Sequence, residues 1–446
     1  MTVSKTTNAC HSYGTTILRG GRLIKWKGQV ASLSPSLGQL VASVSPVALG
    51  RALMVGANRA ATAAVLGSAG LIVTTSGVNA ACTPSDPGVY TCSGAMVNGD
   101  GDIDITGTGN LLDVTVSPST TFNVTAGDAF DLDSSAGITF TNNNSEVTIA
   151  GAVDGINAYH DGTYGGALSI TTTGAITGGT GFGIRTQTAA GKTTNITLNS
   201  GAVSSTAGLG ISNNGGNSTT TVNTGASVAG KIVLGDGVDS LNFAGGDFSG
   251  VTLFDGGAGT SDILKFSGSS GSVNSTLFSN WETVEINDGS TIAFSNSALT
   301  INNLDINTGG TLNAVSGAFA MTGNLSNAGM IAMADAATGD KVTVSGNFTG
   351  GGQIKLDVDT KAKTSDQLAV AGNSSGTSQI SFTNLTPGEE TGATINDVVT
   401  VAGTSSATDF SGSMVGGIYT YNLTYDAGDF DLIGALNSTS STYRVK

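Results

Sequence analysis

Ser169-Ile170-Thr171, Asn195-Ile196-Thr197 and Thr220-Thr221-Val222 recur at nearly equal intervals, inside a stretch from 146 to about 230 that keeps returning to the same pattern. Gly174-Ala175-Ile176, Gly201-Ala202-Val203 and Gly225-Ala226-Ser227 lie between them, and Phe182-Gly183-Ile184 and Leu209-Gly210-Ile211 recur in the same phase. A period of ~23–27 residues marks a repeat architecture. Each unit holds short apolar dashes broken by Gly, Asn, Thr and Ser. One unit alone leaves its apolar side in water, whereas stacking on a neighbour covers it and runs backbone hydrogen bonds up the stack. The pattern predicts an all-β chain coiled as a right-handed parallel β-helix, a solenoid.

Working outward, the same alternation continues in both directions. Ile103-Asp104-Ile105-Thr106, Leu112-Asp113-Val114-Thr115-Val116 and Phe122-Asn123-Val124-Thr125 precede the repeat. Alternating apolar and polar residues mark strands with one buried face. Downstream, the Gly/Asp turn around Gly235-Asp236-Gly237-Val238-Asp239 is echoed by Gly256-Gly257 through Asp262. Trp281-Glu282-Thr283-Val284, Leu299-Thr300-Ile301, Leu304-Asp305-Ile306 and Val342-Thr343-Val344 follow. About ten to eleven rungs at ~4.8 Å predict a rod of roughly 50 Å. Near Asp366 the rhythm becomes denser, and Tyr419, Tyr421, Tyr425 and Phe430 concentrate aromatic mass. A solenoid needs a closed end, so 365–434 is expected to be a β-rich cap on a 81–364 helix, with 435–446 as a tail.

The 446 residues include 67 Gly, only 6 Pro and 11% charged residues. Sparse charge with plentiful β-branched residues argues for ordered structure rather than disorder. Residues 1–80 carry seven Lys/Arg and no acid, which leaves ten Lys/Arg against all 32 acids in the remainder, a net of −22. A nucleic-acid binder needs a basic face, so no nucleic-acid partner is expected.

The basic first segment reads as a leader. Arg51 and Arg59 precede an apolar run from Ala60 to Val73, and Val78-Asn79-Ala80 supplies the small residues that a signal peptidase reads. Cleavage is expected between Ala80 and Ala81, placing 1–80 as an extended leader and signal peptide and the rest in an exported compartment. The run is short of the ~20 apolar residues of a membrane helix. Cys10 leaves with the leader. Asn79 stands where a lipoprotein signal needs a Leu-like residue, so Cys82 is expected to pair with Cys92 in an oxidising space.

Little catalytic chemistry is legible. The one histidine after the leader, His160, sits in Tyr159-His160-Asp161-Gly162 and reads as polar surface in a loop. Gly372-Asn373-Ser374-Ser375-Gly376 matches a nucleophile elbow, but a hydrolase of that class needs a later His and none follows. Gly191-Lys192-Thr193 ends like a phosphate loop, yet Thr186 replaces the first Gly. The interval from Asp239 to Asp262 is that of a rung, much longer than the short tandem spacing of calcium-binding nonapeptide repeats. No catalytic set, cofactor or metal is expected. A β-helical polysaccharide-degrading enzyme and a calcium-stabilised repeat protein are the alternatives.

Ser365-Asp366-Gln367-Leu368-Ala369-Val370-Ala371-Gly372, Val398-Val399-Thr400-Val401 and Gly416-Gly417-Ile418-Tyr419-Thr420-Tyr421-Asn422-Leu423 resemble the C-terminal autochaperone region of autotransporter passengers, the type V secretion family. The stretch from Gly256-Gly257 to Ile292 is similar to that family's stem rungs. The resemblance implies a signal, a secreted β-helix and an outer-membrane β-barrel translocator as partner. It also implies an adhesin-like passenger, displayed at the cell surface or released, that meets host or matrix surface ligands. A barrel needs many alternating strands long enough to span the membrane, and none can be read after 434. The barrel is therefore expected outside this sequence, through truncation of the gene, on a separate chain, or in a longer parent of which this is a piece.

Overall fold

The computed structural model describes residues 23–26, 29–32, 62–65, 71–74, 81–94, 103–107, 109–117 and 121–437. The chain divides into two compact units, Met1–Asn79 and Ala80–Lys446. In the first, Leu23–Trp26 pairs antiparallel with Gln29–Ser32, and Thr62–Val65 with Leu71–Thr74. Ala80 lies outside the described residues, and Ala81 opens the first strand of the second unit.

The second unit is a parallel β-solenoid of about 12 turns, or roughly 58 Å at ~4.8 Å per turn. Its spine is a sheet in which Leu112–Val116, Ile138–Asn142, Leu168–Thr172, Thr193–Leu198, Asn217–Asn223 and Asp239–Ala244 pair in parallel register, each with the next. The ladder continues through Ile263–Ser267, Thr283–Ile286 and Ala298–Ile306. Parallel strands of this kind require a crossover, which here is the rest of each coil. Two further parallel sheets complete the earlier coils, the first reaching Phe278–Ser279 and the second Ala226–Val228. One holds Phe130–Ser134, Ile156–His160 and Ile184–Thr188, and the other Thr148–Ala150, Ala175–Gly178 and Gly201–Ser205. From Ser270 onward a different sheet, beginning with Ser270–Val273, Thr291–Phe294 and Thr311–Asn313, lines the coil.

The alternation in the sequence sets which side of each strand faces in. Val114, Phe140, Ile170, Ile196, Thr220, Leu241, Leu264 and Val284 form one continuous inward column, and all are buried. Each large apolar member of such a column contributes about 1.5–3 kcal/mol of burial. On the outside of the same strands Thr115, Thr141, Thr171, Thr197 and Thr221 stand in register, β-branched residues suited to a pleated, half-solvated face.

Two details differ from the sequence reading. Ser169 and Asn195 align with Thr219, not Thr220, and Gly201 aligns with Ala226, not Gly225. A one-residue slip moves every side chain to the other face. Val222, on the strand Asn217–Asn223, is inward, and alternation from it makes Thr220 inward and leaves Thr219 and Thr221 outward. The denser rhythm near Asp366 is also not a change of architecture. Gln367–Val370 pairs in parallel with Lys341–Val344, Ser378–Asn384 with Gln353–Asp359, and Ile395–Val401 with Gln367–Val370. Those added rungs bring the stack above the ten to eleven turns read from the sequence.

Antiparallel strands are added at both ends of the spine sheet. At the first rung, Ala81–Asp86 and Val89–Ser93 form a hairpin, with Cys82 and Cys92 opposite each other and joined in a disulfide. Its second strand adds in parallel to Leu112–Val116. At the last rung, Ser413–Gly416, Tyr419–Asp426 and Asp429–Leu436 form an antiparallel meander. Asp429–Leu436 lies antiparallel against Ile395–Val401. This reversal satisfies the final open edge, which would otherwise template aggregation. Phe430 meets Phe410 edge-on at 5.0 Å between ring centres, and the buried Tyr421 hydroxyl accepts the Gly392 N–H at 3.0 Å.

Candidate functional site

His160 is not a surface loop residue. It closes the strand Ile156–His160 with no exposure, between Ser134 and Thr188 of the adjacent turns. Ile156, Ala158 and His160 fall on the inward parity of their strand. That parity was readable in the sequence once Phe130-Asp131-Leu132-Asp133-Ser134 was laid beside it. The His160 Nδ1 lies 3.0 Å from the Ser134 carbonyl oxygen, while Nε2 is buried with no hydrogen-bond partner. Ser374 lies far along the stack, on Ser374–Gly376. Its hydroxyl donates to Asp409, so the structure does not bring it together with His160.

The glycines and asparagine of the elbow-like motif have a stacking role. The Asn324 Oδ1 accepts the Asn347 N–H at 3.0 Å, the Asn347 Oδ1 accepts the Asn373 N–H at 2.9 Å, and the Asn373 Oδ1 accepts the Thr404 N–H at 2.8 Å. The preceding glycines stack backbone on backbone, and a Cβ on Gly372 would stand 2.5 Å from the Gly346 oxygen. Gly-Asn therefore repeats because the corner has no room for a side chain. Lys192 is likewise structural: its ammonium donates to the Tyr164 carbonyl at 3.0 Å, and a strand rather than a helix follows.

Acidic residues are used as backbone acceptors between turns. The Asp239 Oδ1 accepts the Ser218 N–H at 2.6 Å, the Asp262 Oδ1 accepts the Asp239 N–H at 2.7 Å, and the Glu282 Oε2 accepts the Asp262 N–H at 2.7 Å. Burial pushes the Asp239 carboxyl up to about 6, with the charges of Asp262 and Asp236 adding and the hydrogen bonds from Ser218 opposing. Its Oδ2 and that of Asp262 are buried without partners.

A second knot centres on Asp366. Its Oδ1 accepts the N–H groups of Gly339 and Asp340 at 3.0 Å each, and its Oδ2 accepts that of Asp357 at 2.7 Å. Burial also pushes Asp366 up to about 6, against those hydrogen bonds. These carboxylates hold neighbouring turns in register. Among the described residues no group of three or more His, Cys, Asp or Glu is placed to hold a metal ion.

An open groove of about 670 Å³ lies on the rod, within the usual size range for ligand sites. It runs along the rod where the spine turns into the neighbouring sheet, crossing the corners Gly309-Gly310, Ala328-Gly329, Gly351-Gly352 and Thr377-Ser378. The corners are shallow because their stacking tolerates only glycine at key points. A Cβ on Gly329 would meet the Gly310 oxygen at 2.4 Å, and one on Gly352 the Gly329 oxygen at 2.1 Å. One wall is made of outward residues in register: Met330 beside Gln353, Gln353 beside Gln379, and Gln379 beside Ser411. Lys355 completes that wall. The sequence reading missed this site. Its signal was the recurrence of Gly-Gly or Ala-Gly after Asn307-Thr308, Asn327 and Phe348-Thr349, visible only once the turns are stacked.

Compared with protein-family models and with curated proteins, the sequence matches none, and the functional reading rests on the fold and these side chains.

Proposed function

We propose that this chain is an exported, non-catalytic β-helical passenger of the autotransporter type, acting as an adhesin-like rod at the cell surface or after release. The observation that carries the reading is the stack of about 12 turns, with a hairpin and a meander added at the two ends of its spine sheet, whose outward faces repeat polar residues turn after turn. Such a surface suits many regularly spaced weak contacts with an extended partner. The buried acids and the His160 imidazole are engaged in, or enclosed by, the stack, which argues for architecture rather than turnover. The partners on this reading are an outer-membrane β-barrel translocator and host or matrix surface ligands. Nucleic acid is not among them, and no cofactor is required.

The test is to fuse the chain to a heterologous barrel translocator in a Gram-negative host. Protease-accessible display, with increased attachment of cells to polysaccharide-coated or matrix-coated surfaces, is the expected result. Retention in the periplasm, or display without any gain in attachment, would reject it.

A further inference from the structure

We propose that the glycine-floored groove binds a linear acidic polysaccharide laid along the rod axis. The proposal deepens the adhesin reading, on which it rests, by naming the ligand class of one site. Its first support is charge. No Asp or Glu lines the groove, although the chain beyond residue 80 carries a net of −22. The one charged residue that does line it is Lys355, exposed and in no ion pair among the described residues. Asp288 stands beyond one end, against Gly309, whereas Lys355 lies on the middle turn of the groove. The nearest acid along its strand, Asp357, is buried and accepts the backbone N–H groups of Asp335 and Ala336, so Lys355 favours a ligand that brings its own carboxylates or sulfates.

Shape and hydrogen-bonding capacity select the polymer. The groove crosses several turns and is open along its length, so a chain of several sugar units can lie in it. Gln353 and Gln379 offer donors and acceptors one rung apart, with the Thr377 and Ser411 hydroxyls nearby. Paired donors and acceptors at ~4.8 Å intervals suit a ligand that carries hydroxyls on every unit.

An extended peptide fits less well. Peptides add to free strand edges through their backbone, and here the backbone groups of the corners are already used between turns. The Gly352 N–H donates to the Asn327 oxygen at 2.7 Å, the Gln353 N–H to the Gly329 oxygen at 2.8 Å, and the Gln379 N–H to the Gly352 oxygen at 3.0 Å. No aromatic side chain lines the groove, so neither apolar peptide anchors nor stacked neutral sugar faces have a platform.

The structure also supplies a blocking variant. At Gly351 the backbone is not left-handed, and an added Cβ would meet nothing nearer than the Asn327 oxygen at 3.6 Å. Gly351→Tyr therefore fills the groove without disturbing the stack.

The experiment is calorimetric titration of the full chain with oligogalacturonate, with a neutral gluco-oligosaccharide of equal length and with poly-glutamate as comparators. Binding of oligogalacturonate is expected, salt-sensitive and stronger than either comparator. Gly351→Tyr should abolish it at unchanged melting temperature. Lys355→Gln, which serves if the tyrosine variant fails to fold, should weaken it roughly tenfold, the scale of one charge-assisted contact. No binding by the wild type, equal affinity for the neutral sugar or for poly-glutamate, or wild-type affinity in a folded Gly351→Tyr variant would overturn the proposal. Those results leave the adhesin reading to the display assay, since a displayed rod can attach through its other faces.

Discussion

Lowering the pH from about 7 to about 5 should stabilise this protein, opposite to the usual effect of acid on a chain rich in carboxylates. Asp239 and Asp366 have folded-state values raised from 3.8 to about 6 by burial. A carboxyl raised on folding binds its proton more tightly in the folded state. Its contribution is therefore most favourable at low pH and is lost as the pH climbs from the unfolded value through the folded one. Each group then gives up about 1.3 kcal/mol between pH 5 and pH 7, on the scale of about 1.36 kcal/mol per pH unit. Solvent access to the sites reduces the sum for the pair to about 2 kcal/mol.

The structure supplies the reason. The Asp239 Oδ1 already accepts a backbone N–H, while Oδ2 is buried without a partner, so protonating it removes a buried charge and keeps the inter-turn bond. Asp161, Asp247 and Asp359 are lowered by backbone N–H bonds. Their stabilisation is lost only as the pH falls through their lowered values, below this window. The assay is urea denaturation at both pH values for the wild type and for Asp239→Asn and Asp366→Asn. Both amide substitutions should flatten the pH slope; Asp239→Asn should also raise stability at pH 7, whereas Asp366→Asn should lower it, because its NH2 would face a backbone N–H that an Asp366 oxygen accepts. A wild type no more stable at pH 5, or variants with an unchanged slope, would refute the reasoning.

Reducing the disulfide, or replacing Cys82 and Cys92 by Ser, should destabilise the first turn by up to about 2.7 kcal/mol on the loop-entropy scale, seen as faster proteolysis near residue 81 while the later turns stay protected. Replacing Gly372 by Ala should destabilise by several kcal/mol, because its Cβ would stand 2.5 Å from the Gly346 oxygen and packed corners tolerate little overfilling; a melting temperature indistinguishable from wild type would contradict the stacked-corner reading. Deleting 366–434 should lower the refolding yield of the rod, and deleting 413–436 alone should promote aggregation by baring the edge of Ile395–Val401. Unchanged yield in the longer deletion would reject a templating role for the C-terminal turns.

The alternation of apolar and polar residues, with Gly and Asn at fixed intervals, is local information. It determined by itself that the chain is all-β, that its strands have one buried face, and that repeated turns stack. The pairing of Cys82 with Cys92 was expected from an exported, oxidising setting, and the hairpin places the two opposite each other. What the sequence could not fix was anything that depends on which residue lies above which. Val222 marks the parity of Thr219-Thr220-Thr221, but only the pairing of Thr220 with Ile196 and Leu241 decides its register in the stack. His160 reads as polar loop in isolation and as a core position once Ser134 and Thr188 flank it. The groove is likewise assembled from corners that lie a full turn apart along the chain. Its floor exists because glycine lets successive backbones touch, and its wall because parallel register aligns Gln353 with Gln379. Periodicity fixes the repeat of a coil, whereas the contents of its interior and grooves follow from contacts between coils.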